Sequence, residues 1–140
     1  MKSTTTNRNI ALLTLRLLLG FIFLMQGWGK VYSIGVENIY QSFFATDAYA
    51  GLPSPLLYAT AYYTSYVELI AGALVVFGWQ RDYALYALAS VLVIVTFGHG
   101  YAEPIWNLSH VMYRSMLLIP LLLLPREWDV YSVDFYLNKK

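Results

Sequence analysis

From Leu56 to Trp79 the chain reads LLYATAYYTSYVELIAGALVVFGW, a run of 24 residues whose single charge is Glu68. A segment of that length and character is a membrane-spanning helix, because about 20 apolar residues are needed to cross the hydrocarbon layer. Glu68 is the informative exception. On insertion scales a charge at the helix centre costs a few kcal/mol, so it marks a functional site or a buried partner by default. Arg16 and Arg114 interrupt two further apolar runs in the same way.

Working outward, three more apolar segments appear, Ile10 to Trp28, Tyr83 to His99 and Leu108 to Leu124. The reading is an all-α integral membrane four-helix bundle, with residues 1–140 as one domain. Composition agrees, with 59% hydrophobic and 12% charged residues, the balance of a chain that lives in lipid. The last two spans are short and reach the surface through interfacial side chains. Trp28, Tyr58, Trp79, Tyr83, Tyr101, Trp106 and Trp128 sit where aromatic belts belong.

Lys2 and Arg8 precede the first apolar run as in a secretory signal, but Gln26-Gly27-Trp28-Gly29-Lys30 offers no small-x-small cleavage pattern. The first span is therefore expected to be retained. Lys2, Arg8, Arg81, Arg126, Lys139 and Lys140 fall on one side of a four-span arrangement and Lys30 on the other. The positive-inside rule then places both termini in the cytoplasm, and the plasma (inner) membrane of a bacterium is the expected location.

Several classes drop out. A net charge of +1 leaves no basic face for nucleic acid. The absence of cysteine removes disulfides, thiolate metal sites and iron–sulfur clusters. His99, Glu103 and His110 match no compact ligand spacing, so neither metal nor haem is expected. Redox chemistry in such a chain has to come from a guest or a partner.

The second and third spans are joined by only Gln80-Arg81-Asp82, which predicts antiparallel neighbours. Longer connections, Tyr32 to Pro55 and Gly100 to Asn107, lie on the opposite side. Glu68 shares a helical face with Ala61, Thr64, Ser65, Ala71 and Gly72, while Leu57, Leu69 and Val76 are expected to project elsewhere. Arg16 lies below Gly20 and Gly27 on a comparable face. Small residues let helices approach closely in lipid, so both charges should point into the bundle. A weak echo, Arg16-Leu17-x-x-Gly20 against Glu68-Leu69-x-x-Gly72, carries the same message. An Arg16–Glu68 ion pair near the midplane is the expectation that follows, with Arg114 left over.

Arg114 follows His110 by one helical turn, so both occupy one face, and His99 and Glu103 are similarly spaced if the third helix persists toward Pro104. These groups make a polar cap over the outer half of the bundle.

The order of motifs, Arg16-Leu17-Leu18-Leu19-Gly20-Phe21-Ile22-Phe23-Leu24 with Gly27 and Lys30, then Glu68-Leu69, Gly72, Gly78 and Arg81, resembles the DoxX-like four-helix membrane proteins. Gly51-Leu52-Pro53, His99 closing the third span and Ser132-Val133-Asp134 extend the resemblance over most of the chain. It implies an inner-membrane protein associated with redox complexes, such as the small membrane subunit of thiosulfate:quinone oxidoreductase. The chain departs from the pattern at His110-Val111-Met112-Tyr113-Arg114, where relatives often begin with Glu, and at Pro125-Arg126-Glu127, which replaces a glycine-rich turn.

The functional expectation is a subunit of a quinone-dependent oxidoreductase, with Arg16, His110 and Arg114 binding a quinone or quinol and Glu68 exchanging protons with it. Its partners would be membrane lipid and a redox subunit or further copies of the chain. The alternative is a non-catalytic scaffold or assembly protein, with a small-solute carrier behind it.

Overall fold

A computed structural model describes residues 2–103 and 109–138. Helix α1 covers Lys2–Trp28 and runs on without a break through a π-helical segment, Gly29–Ile34. A short α2, Val36–Ile39, opens the connection to α3, Ser54–Phe77, which is followed by α4, Arg81–Ala102, and α5, Ser109–Leu123. A final helix, α6, occupies Val133–Leu137. All regular structure among the described residues is helical.

Three of these, Thr4–Ile34, Ser54–Phe77 and Arg81–Ala102, are long and apolar enough to cross a membrane, and α5 is a shorter apolar helix of 15 residues. The expected fold class therefore holds, but two boundaries move. The first helix does not stop at Trp28, so Lys30 stands on a helix and not in a loop. The third span passes His99 by a turn. Both shifts have one cause: hydropathy marks where the chain is apolar, whereas backbone hydrogen bonding continues until a residue stops it. Gly35, at φ 87°, is the stop after the π-helical segment.

The turn between α3 and α4 shows such a stop in detail. Gly78 adopts the left-handed conformation, φ 65°, and its N–H bonds back to Leu74 O and Val75 O, while Trp79 N bonds to Leu74 O at 3.0 Å. This pattern satisfies carbonyls that a helix end leaves open. Gln80 is also left-handed, at φ 48°. The next free amides are claimed from a distance: Asp134 Oδ1 accepts from Gln80 N at 2.9 Å and Oδ2 from Arg81 N at 3.0 Å. A carboxylate at a helix N-terminus is favoured by both hydrogen bonding and the helix dipole. The C-terminal tail is thereby fastened to the α3–α4 turn.

Around the bundle the order is α3, α1, α5, α4, with α4 returning to α3. Helices α3 and α4 are neighbours as their short turn demands. The core is built from Leu12, Leu19, Phe23, Val75, Leu85, Leu88 and Leu121. The closest contact is between α1 and α3, where Gly20 abuts Val76, Gly72 abuts the Phe23–Leu24 backbone, and Gly27 abuts the backbone of Glu68 and Leu69. Leu57, expected to point away, is buried. Leu69 and Val76 instead meet α1 through their own glycine contacts, because helices this close bury a wider stripe than the small residues alone define.

Candidate functional site

The structure separates the buried charges into two groups at opposite ends of the bundle. One end carries the start of α1 and the tail, where the Arg8 guanidinium lies 4.7 Å from the Trp128 ring centroid. Arg16 belongs to this end. Its Nη1 donates to Val76 O at 2.9 Å and Val75 O at 3.4 Å, and Nη2 donates to Tyr131 O at 2.9 Å. Its Nε is 3.3 Å from Asp129 Oδ1, an ion pair that lacks hydrogen-bond alignment. Arg81 Nη1 donates to Asp129 Oδ2 at 3.4 Å and Nη2 to Leu124 O at 3.2 Å.

Asp129 is thus an acid held between two arginines, all three at most 4% exposed. Burial pushes its carboxyl above the usual range, and Arg16 and then Arg81 pull against that shift. The expected Arg16–Glu68 pair does not form. The register explains why: α1 and α3 are antiparallel, and the residue of α1 level with Glu68 is Gly27, about 16 Å of helical rise beyond Arg16.

At the other end Glu68 is 2% exposed, and its Oε2 lies 2.7 Å from Lys30 Nζ. The atoms are close enough for an ion pair, but Oε2 receives no aligned hydrogen bond, so the contact is held by charge. Arg114 of α5 shares the electrostatic field of Glu68 and stacks its guanidinium over Phe23, 5.7 Å from the ring centroid. Among the described residues it makes no hydrogen bond.

Lys30, Glu68 and Arg114 line a cavity of about 600 Å³, together with Gln26, His99 and His110. Met25, Ile39, Phe43, Phe44 and Val95 supply apolar wall. Gln26 Oε1 is buried there and has no hydrogen-bond partner among the described residues. Tyr49 also lines the cavity, stacked between Phe44 and Tyr101 at centroid distances of 6.2 and 6.3 Å. Burial holds its hydroxyl above the usual phenol range, so it stays protonated. The stack ties the α1–α3 connection to the end of α4.

Of the residues singled out in the sequence, Glu68, His110 and Arg114 come together here and Arg16 does not. His99 joins them, whereas Glu103 is exposed and outside the lining. Leu108, the expected start of the fourth span, lies outside the described residues. Lys30, Gln26 and Asp129 went unrecognised as site residues. Lys30 carried a signal, being the one Lys or Arg outside the apolar runs that falls between the first and second of them, and sharing a helical face with Gln26 and Gly27.

Among the described residues no group of three His, Asp or Glu side chains is arranged to hold a metal.

These features define an integral membrane helical bundle with a charged cavity near one end and a locked tail at the other. The chain belongs to the DoxX family, whose model matches residues 11–100, nearly two thirds of its length. The match spans Lys30 and Glu68 and ends before His110, Arg114 and Asp129. No curated protein and no solved structure matches the chain.

Proposed function

We propose that the cavity between α1, α3, α4 and α5 binds the head group of a quinone or quinol, and that the chain serves as the membrane subunit of a quinone-linked redox complex in the bacterial inner membrane. One observation carries the reading. A guanidinium without a hydrogen-bond partner among the described residues, Arg114, faces a cavity that combines apolar walls with Gln26, Lys30, Glu68 and His110. Sites for small apolar ligands have this make-up, a mostly hydrophobic enclosure with a few convergent polar groups that fix orientation.

The residues fit a quinone ring in three respects. Arg114 and His110 provide donors for carbonyl oxygens and for charge that accumulates on them. Gln26 Oε1, buried and unpartnered, provides an acceptor for a hydroxyl. Met25, Phe43 and Phe44 provide surface for the ring. A bound quinone supplies electron and proton uptake; Glu68 would exchange protons with it, and the exposed His110 would connect the cavity to the surface. Arg16 takes no part in this proposal, since its donors are used on carbonyl oxygens and Asp129 at the far end.

The test is Arg114→Leu in the intact complex, scored for quinone reduction and for co-purification of the redox partner. Loss of turnover with assembly preserved supports the site. Unchanged turnover with lost assembly overturns it and makes the bundle a scaffold.

A further inference from the structure

We infer that the cavity holds its guest as a singly charged anion, an ionised ring-hydroxylated quinone or chemically similar aromatic oxyanion, balanced by Arg114. This deepens the quinone-site reading and rests on it. Lys30 and Glu68, 2.7 Å apart, neutralise each other. Arg114 is then the unbalanced charge. Among the described residues Glu68 is the one acid whose charge reaches it, and that acid is already paired with Lys30. Glu37 and Asp47 are exposed and absent from the lining, as is Glu103, and Glu37 accepts from Gln41 Nε2 at 3.1 Å. Pro104 to Leu108, beside the cavity in sequence, carry no charge. His99 and His110 contribute no negative charge.

An isolated cation inside a lipid-embedded bundle is unfavourable, and the Phe23 ring, 5.7 Å from the guanidinium, compensates it only in part. A guest oxyanion completes the balance. Guanidinium suits that partner because its planar donors match oxygen anions in pairs. The apolar walls argue against a bare inorganic anion, which would keep its water. Gln26 Oε1 leaves room for one un-ionised hydroxyl on the same molecule.

The experiment uses the full chain in nanodiscs of zwitterionic lipid and isothermal titration calorimetry. The probes are a hydroxynaphthoquinone, ionised at neutral pH, and its methoxy analogue, which is neutral and nearly the same shape. The ionised probe should bind at least about tenfold tighter. Arg114→Gln should weaken the ionised probe more than the methoxy analogue, so that the preference is lost, and Arg114→Lys should restore most of it. Equal affinity of the two probes for the unaltered protein overturns the charge inference and leaves the quinone site standing. A preference that survives Arg114→Gln overturns it too. If neither probe binds, the quinone site itself falls.

Discussion

Gly78 and Arg16 occupy adjoining space: a Cβ on Gly78 would land on the Arg16 guanidinium and against Ser132 Cβ. The glycine is therefore required twice, once for its left-handed φ of 65° and once for the room it leaves. Gly78→Ala should destabilise the bundle by about 2 kcal/mol or more, since the left-handed conformation alone penalises a side chain by roughly 1–2 kcal/mol. Gly78→Asn tolerates the backbone better but keeps the collision. Thermal unfolding in detergent measures both, and equal losses would identify the collision as the larger effect.

Asp129 is the common partner of two buried arginines, so Asp129→Asn should rank among the most harmful single substitutions in the chain. Removing one member of a buried ion cluster typically costs about 3–5 kcal/mol. A double-mutant cycle of Arg16→Leu with Asp129→Leu should show coupling of about 0.5–3 kcal/mol, whereas Arg16→Leu with Glu68→Gln should be additive within about 0.5 kcal/mol. Strong coupling in the second cycle would contradict the register between α1 and α3.

Lys30→Met should leave Glu68 buried without its ammonium and lower the unfolding temperature. Adding Glu68→Leu to the same chain should recover part of that loss, because a matched apolar pair is tolerated where a lone ion is not. A double variant less stable than either single one would show that Lys30 and Glu68 do not rely on each other.

Gly27 of α1 and Gly29, which opens the π-helical segment, give opposite expectations. Gly27→Ala drives a methyl group into the Glu68–Leu69 backbone and should cost about 1–3 kcal/mol by overpacking. Gly29 has open space where its Cβ would stand. Gly29→Ala should be neutral or stabilising by up to about 1 kcal/mol, since glycine loses the most freedom in a helix. Chemical unfolding of the two variants in the same detergent makes the comparison.

Topology reporters fused after Lys140 should report the cytoplasm and those inserted between Tyr32 and Pro55 the periplasm, as the division of basic residues requires. The reverse result would invert the bundle and place the cavity on the cytoplasmic side.

The positions of four helices, the antiparallel α3–α4 pair and the small-residue faces were legible in the sequence, because each rests on local periodicity or on a short connection. The shared face of His110 and Arg114 was legible from their spacing of one turn on α5, whereas their meeting with Glu68 depends on how the helices pack. Ion pairing was not legible. Arg16 and Glu68 each looked like the other's natural partner when charges were counted by depth, but contact depends on register, which the glycine contacts fix. Asp129 was hidden for another reason: it lies past Pro125, where hydropathy places the chain outside the bundle, and only the fold-back of the tail brings it beneath Arg16 and Arg81.

That fold-back imposes an order on biosynthesis. Arg16 leaves the ribosome more than a hundred residues before Asp129, and Arg81 nearly fifty before it. Throughout that interval the nascent protein carries two cations whose counter-ion has yet to be translated. Its helices can insert, yet their closure waits for the segment that carries Asp129, so a product terminated before that residue would be left with the electrostatic signature of an unfinished molecule, open to recognition by membrane quality control.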